Sequence, residues 1–461
     1  MSPPTNLPQV TIQNDAFTAI GDVEQGIIES EDIWVSCYDL SKPSVHGKVA
    51  VTVSDEDRTQ CAFQGRDGVQ CKRVQNTIFN ISCPALHISN RPVHFPSRIV
   101  TLPDLPSTKT SSKLDRGINS LDISPDGQVW AAGLGNGSVL VGADPYKRKN
   151  APAPLEGSYH KGAVSTVRLV RPNHPTMKSR ILSGSEDFSL TLTELADFPP
   201  LTPTSPNTLI SQTLPPPNIR LTSHTRSITS AQVLPCGTKA ISAGRDGTLR
   251  IWDLNPESTS TSRQIGMVRS TGDVPINSFA IVPSGSATFA SLALQSGHFD
   301  LVDVDSRSTL FSSSTAGFEY VKNGPLDSID IYSLPTAHKH LVVTGSQRGV
   351  ISLFVCAIEN ASVVTTSAGS CIRNGAGVSD LKFIPPPDES KDGYPRVLVA
   401  TADGLPYQLQ ISQKANSPDF EFEISAEYAG GADCSPVRSI VWHAESKAVW
   451  VAGDDGVIWI Y

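Results

Sequence analysis

A strand–turn–strand unit recurs along this chain of 461 residues, and its regular spacing limits the fold more than any other feature. The turns fall at Gly137, Phe188, Gly247, Gly297, Gly349, Gly404 and Gly456, with gaps of 51, 59, 50, 52, 55 and 52 residues. Phe188 stands where the other six carry glycine. A tight hairpin turn needs a positive φ, which glycine adopts without steric cost. Short units at this spacing cannot bury their faces alone, so they must stack on one another. The expectation is an all-β array of seven similar units, beginning near Gly117, His160, His224, Pro275, Asp327, Val378 and Pro436.

The fullest unit is residues 222–254, TSHTRSITSAQVLPCGTKAISAGRDGTLRIWDL. It runs from His224 through two strands, the Arg245-Asp246-Gly247 turn and a third strand ending in Trp252-Asp253. This order resembles the WD40 repeat, which implies a seven-bladed WD40 β-propeller of four-stranded blades. The same resemblance implies that His224, Ser242, Asp246 and Trp252 form a buried hydrogen-bonded set that fixes blade geometry. A Ser-His-Asp nucleophile is the competing reading, but no nucleophile elbow accompanies it.

The last unit stops at Tyr461 inside its third strand, so residues 97–105 are expected to supply the fourth, with residues 98–105 as the ring-closing strand. Trp459 and Tyr461 should then be pinned at the seam. Residues 1–97 carry several short strand patterns without the repeat signature and read as a separate small β-rich domain, leaving 98–461 to the propeller. Residues 198–218 hold seven prolines and no charge, and read as an insertion between blades.

Composition narrows function. Charged residues are 18% of the chain, against 34 glycines and 35 prolines, which suits turn-rich β structure. The net charge of −8 disfavours nucleic acid and favours a basic protein partner. Eight cysteines without a CxxC pair argue against structural zinc and read as core packing in a reducing compartment. The absence of an apolar leader or long apolar run suggests the cytoplasm or nucleus. The chain has neither a glycine-rich phosphate loop nor paired catalytic carboxylates, so no enzymatic activity and no cofactor are expected. Lys147-Arg148-Lys149 reads as a solvated loop.

Two phrases lie outside the repeats: Glu31-Asp32-Ile33-Trp34-Val35-Ser36-Cys37-Tyr38 with Lys42-Pro43-Ser44-Val45-His46-Gly47, and Gly431-Ala432-Asp433-Cys434-Ser435-Pro436-Val437. With them the chain resembles the proteasomal ATPase-associated factor family over nearly its full length. That resemblance implies an assembly chaperone of the 19S regulatory particle. It would bind the C-terminal domain of one base ATPase, meet the other base subunits indirectly, and be monomeric when free. Binding would set an acidic surface against basic helices. Placement on the expected channel rim selects Glu186, Arg245, Asp327, Asp380, Asp433, Asp454 and Asp455 as partner-binding candidates. Asp455 also falls at the structural aspartate position shared by Asp187 and Asp246. The alternative is an adaptor of another complex, such as a ubiquitin ligase or a chromatin assembly; basic rim residues would favour a partner that is acidic or phosphorylated, but the rim reads as mixed to acidic.

Overall fold

The computed structural model describes residues 3–54, 60–102, 116–144, 153–170, 179–195, 213–255, 258, 262–284, 287–317, 323–335, 339–359, 362–386, 393–415, 417–432 and 434–461. Asp433, Lys147-Arg148-Lys149 and most of the proline tract, 198–212, lie outside the described residues.

Local sequence explains the basic sheet. In the third unit Ile228–Val233, Lys239–Gly244, Thr248–Asp253 and Gln264–Arg269 pair antiparallel in that order. Gly247 has φ +71, and a Cβ on it would meet the Asp273 carbonyl oxygen at 2.9 Å. Glycine is thus required there both for conformation and for room. The same four-strand order recurs over residues 118–158, 164–222, 276–312, 326–372, 378–428 and 437–460. The last of these takes its fourth strand from Arg98–Thr101, antiparallel to Val457–Ile460. Tyr461 exchanges backbone hydrogen bonds with Val449 at 2.9 and 3.0 Å, and the Trp459 indole N–H bonds Asp455 at 2.6 Å.

One backbone bond repeats in every unit. The N–H groups of Gly135, Glu186, Arg245, Gln295, Gln347, Ala402 and Asp454 donate to the carbonyls of Gly117, Ala163, Ser227, Pro275, Pro325, Gly377 and Pro436, all at 2.8–3.1 Å. Each bond ties the turn after the second strand to the residues leading into the first. It brings both kinds of turn to one end of the molecule.

The buried residues lie between sheets. Cores form between sheets one and two around Val139 and Val167, and between two and three around Leu192 and Trp252. Further cores join three to four, four to five, five to six and six to seven. A seventh joins sheet seven to sheet one through Trp450, Ile458, Trp130 and Leu140. The first strands touch in the same order, and that of sheet seven touches that of sheet one. Their contact includes the Leu121 N–H bond to Ser439 Oγ at 3.1 Å. No sheet has a complete core of its own, so stability is shared between neighbours.

The N-terminal segment is woven into this array. Gln9–Ile12, Ser30–Asp39, Lys42–Val53 and Cys61–Arg66 form an eighth sheet. Gln70–Gln75, Ile78–Cys83 and Ile88–His94 instead extend the sixth sheet, where Val93 and His94 run parallel to Glu427 and Tyr428. Thr5–Asn6 adds a parallel strand to the fifth sheet beside Cys371 and Ile372. Within residues 1–97, read from the sequence as short strands, Ala16–Glu24 is a helix. Its only signal was the i, i+4, i+7 spacing of Ala16, Ile20 and Val23, the three residues it buries against the N-terminal core.

A buried ionic cluster fastens the junction. Glu427, 3% exposed, accepts the Val10 N–H at 3.0 Å and the Arg373 Nη1 group at 3.1 Å, with Arg91 Nη1 at 3.5 Å. Arg373 also reaches Asp403 at 3.2 Å and the Leu405 carbonyl at 2.8 Å, and its guanidinium lies 4.1 Å from the Tyr407 ring centre. Asn374 Nδ2 bridges Gln9 Oε1 and Asp403 Oδ2. Of the eight cysteines, none of them disulfide-bonded, Cys37, Cys71, Cys83, Cys356 and Cys371 are buried. Burial pushes the Cys71 thiol up to about 12 and Cys356 to about 11, so these are packing groups rather than nucleophiles.

Candidate functional site

Residues of the seven first strands line a polar cavity of about 470 Å³. Its lining follows from a bulge near the start of every first strand, where the register slips past Asn119, Ser165, Thr229, Asn277, Asp327, Ser379 and Arg438. A bulge removes one residue from the ladder and re-aims its side chain. All seven of these residues line the cavity. Four of them tie one sheet to the next. Asn119 donates to the Val164 carbonyl at 3.2 Å, Ser165 to Ile228 at 2.6 Å, Thr229 to Ile276 at 2.8 Å and Asn277 to Leu326 at 2.9 Å. Asp327 breaks the series, because a carboxylate has no proton to donate. Ser328 Oγ supplies that link instead, bonding the Val378 carbonyl at 3.1 Å.

The following residue makes a second tier. Ser120 Oγ accepts the Val167 N–H, Thr166 Oγ1 the Ala231 N–H and Ser439 Oγ the Leu121 N–H, at 3.1–3.2 Å. In the sixth sheet Asp380 has this job, accepting the Ile440 N–H at 3.1 Å. Deeper still, Asp122 accepts the Leu169 N–H and Asp330 the Phe383 N–H, both at 2.7 Å. Burial raises the pKa of both carboxyls, opposed by Arg168 at Asp122 and by Lys382 at Asp330. The cavity is thus walled by groups whose first duty is to hold neighbouring sheets together.

The histidine set of the third unit is complete. His224 Nδ1 lies 2.9 Å from Asp246 Oδ2 and Nε2 lies 2.7 Å from Ser242 Oγ. The Trp252 indole N–H donates to Ser242 Oγ at 2.8 Å. Asp246 also accepts the N–H groups of Thr225 and Thr248 and the Thr248 hydroxyl. Ser242 is wholly buried and its oxygen is already shared by histidine and tryptophan, so it cannot serve as a nucleophile. A second set, of which the sequence marked only His160 and Asp187, is also present: His160 bonds Asp187 at 3.2 Å and Ser183 Oγ at 2.9 Å, with Thr193 in the place of the tryptophan. The arrangement is non-catalytic and structural. Among the described residues no group of three or more His, Cys, Asp or Glu could hold a metal ion, and no helix is long and apolar enough to cross a membrane.

Burial pushes the Asp246 carboxyl upward, but the His224 and Thr248 hydrogen bonds outweigh it and hold the pKa well below the ordinary range. A depressed carboxylate pKa gives stability that is present above the unfolded value of about 3.9 and lost as pH falls through the folded one. Asp246→Asn is therefore expected to lose about 1–3 kcal/mol at pH 7. It should also lose stability less steeply than the parent below pH 4. Denaturant midpoints measured from pH 7 downward check both points.

The candidate rim residues separate by what they touch. Glu186 and Arg245 are exposed. Asp327 is half-buried and accepts Gln347 Nε2 at 2.9 Å; burial raises its pKa, and the Gln347 bond and the charges of Arg245 and Arg438 oppose the rise. Asp380 is committed to the Ile440 N–H and to Lys382 Nζ at 3.7 Å. Asp454 holds Arg438 through two bonds of 2.8 and 2.7 Å. Asp455 bonds the Trp459 indole and the Val457 N–H. Most of these acids are engaged inside the fold. The exposed charges at the turns of sheets two and three are Lys161, Arg226 and Arg245 beside Glu186.

Residues 216–253, which include the complete histidine set, match the family described as WD domain, G-beta repeat. The chain carries a WD repeat. A search of curated proteins finds no match to it. The matched repeat is the third of the seven similar units, and the WD repeat is a module of protein–protein recognition.

Proposed function

We propose that the seven sheets of this protein close into a seven-bladed propeller that serves as a non-enzymatic interaction scaffold in the cytoplasm or nucleus. Residues 1–97 form its N-terminal β-rich domain, docked on the fifth and sixth blades. The observation that carries this reading is the repeated turn geometry. Seven N–H bonds of one kind gather two turns from every unit at one end, while the histidine sets are consumed in holding the blades. Such a scaffold offers a partner many turn residues on a rigid frame.

The resemblance to proteasomal ATPase-associated factors names one partner, the C-terminal domain of a proteasome base ATPase. A specific observation favours the adaptor of another complex. Asp327, Asp380, Asp454 and Asp455 are engaged internally, and cations outnumber acids among the exposed turn residues of sheets two and three. Charge of that sign suits an acidic partner better than basic helices. Purified full-length chain titrated against each of the six base ATPase C-terminal domains, at low and high salt, separates the two. One salt-sensitive binder weakened by Glu186→Lys or Asp454→Lys supports the chaperone. Absence of binding by all six supports the adaptor.

A further inference from the structure

The turn of the second sheet breaks a rule that the other six obey. Gly137, Gly247, Gly297, Gly349, Gly404 and Gly456 occupy the turn at φ between +71 and +88. Phe188 occupies the same place at φ +72. A bulky side chain in this region strains the backbone, and folds keep such residues where other demands fix them. Burial does not compensate, because Phe188 remains 44% exposed at the end of the molecule where the turns gather. An aromatic ring held on a strained turn and left in water is a poor choice for the fold.

The position has a definite setting. Turn glycines of other sheets face the turn leading into the next: a Cβ on Gly137 would meet the His160 carbonyl, one on Gly349 that of Ala376, and one on Gly404 that of Ser435. By that equivalence Phe188 stands between the second sheet and the Thr225-Arg226 turn of the third. Lys161 lies beside it, since its N–H bonds Asp187 at 3.0 Å. The neighbouring carboxylates Asp187 and Asp246 are bound to His160 and His224. Lys161, Arg226 and Arg245 are exposed on the turns of sheets two and three that also carry Phe188, with Glu186 the exposed acid among them. This cationic sector sits on a chain whose net charge is −8.

We infer that Phe188 is a binding anchor, and that its partner is an acidic protein segment carrying an apolar side chain to pack on the ring. The cations would steer the segment and set its register, and the desolvated ring contact would hold it. The inference rests on the scaffold reading only in placing the partner at this rim.

The test is selection of random phage-displayed peptides on immobilised full-length protein, followed by fluorescence anisotropy of the enriched peptides. The targets are the parent, Phe188→Gly and the double variant Arg226→Glu/Arg245→Glu. The expected peptides combine acidic residues with an apolar one. Phe188→Gly should weaken them by about tenfold or more, and the double variant should weaken them and remove their salt dependence. Phe188→Gly should also melt at the same temperature as the parent or higher, since glycine relieves the turn. Enrichment of basic or uncharged peptides, no enrichment over the Phe188→Gly chain, or equal binding by that variant would overturn the inference. A lower melting temperature for Phe188→Gly would also overturn it, by assigning the ring to the fold. A protein that binds an ATPase domain yet shows none of this would lose the anchor and keep the scaffold function.

Discussion

Glu427→Gln is expected to destabilise the protein by about 3–5 kcal/mol, the cost of breaking a buried ion pair from one side. The carboxylate is shared by Arg373, Arg91 and the Val10 N–H, and it is 3% exposed. The amide keeps the shape but withdraws the charge from two guanidiniums that have almost no access to water. Arg373→Met should cost a similar amount, and the pair should be strongly non-additive, because each single change already strands the other partner. Arg438→Gln is the internal comparison. Its ion pair with Asp454 is 44% exposed on the arginine side and should be worth less than about 1 kcal/mol. Denaturant midpoints of the parent, the three single variants and the Glu427→Gln/Arg373→Met double variant decide the matter. A loss below about 1 kcal/mol for Glu427→Gln would remove this cluster from the account of how the N-terminal segment is fastened.

Deleting residues 457–461 should abolish cooperative melting. The strand Val457–Ile460 lies between Ala448–Gly453 and Arg98–Thr101, so its loss strips the pairing of both. Ile458 and Ile460 are wholly buried in the core between sheets seven and one. Trp459 and Tyr461 pack against the core between sheets six and seven. The two isoleucines alone represent about 3–6 kcal/mol of burial, a large share of the ~5–15 kcal/mol that holds a typical fold. Each core is shared by two sheets, so damage at this seam reaches both neighbours. Circular dichroism melts of full-length and truncated protein measure the effect. An unchanged transition would contradict a fold that depends on this seam.

What the sequence revealed depended on how local the interactions are. The third unit was legible because His224, Ser242, Asp246 and Trp252 fall within one short stretch, with a glycine turn marking its hairpin. The parallel additions of Thr5–Asn6 to the fifth sheet and of Val93-His94 to the sixth had no such marker. Their partners stand hundreds of residues away, and short edge strands carry little periodicity. Nothing in the sequence singles out Glu427 or Arg373, because burial by a distant segment leaves no local trace. The rim residues show the same limit. Sequence can place Asp454 and Asp327 on turns and strand starts. It cannot show that Arg438 and Gln347 already bind them. Phe188 was visible as a missing glycine, but only the positive φ and the exposure give that substitution a cost.

Amide hydrogen exchange tests the central claim most directly, comparing the free protein with the complex that co-purifies with the tagged full-length chain. A scaffold that works through its gathered turns predicts new protection at residues 161–163, 186–188, 225–227 and 245–247. Protection confined to the outer face of the N-terminal sheet, around the exposed Trp34 and Tyr38, with those turns unchanged, would contradict it.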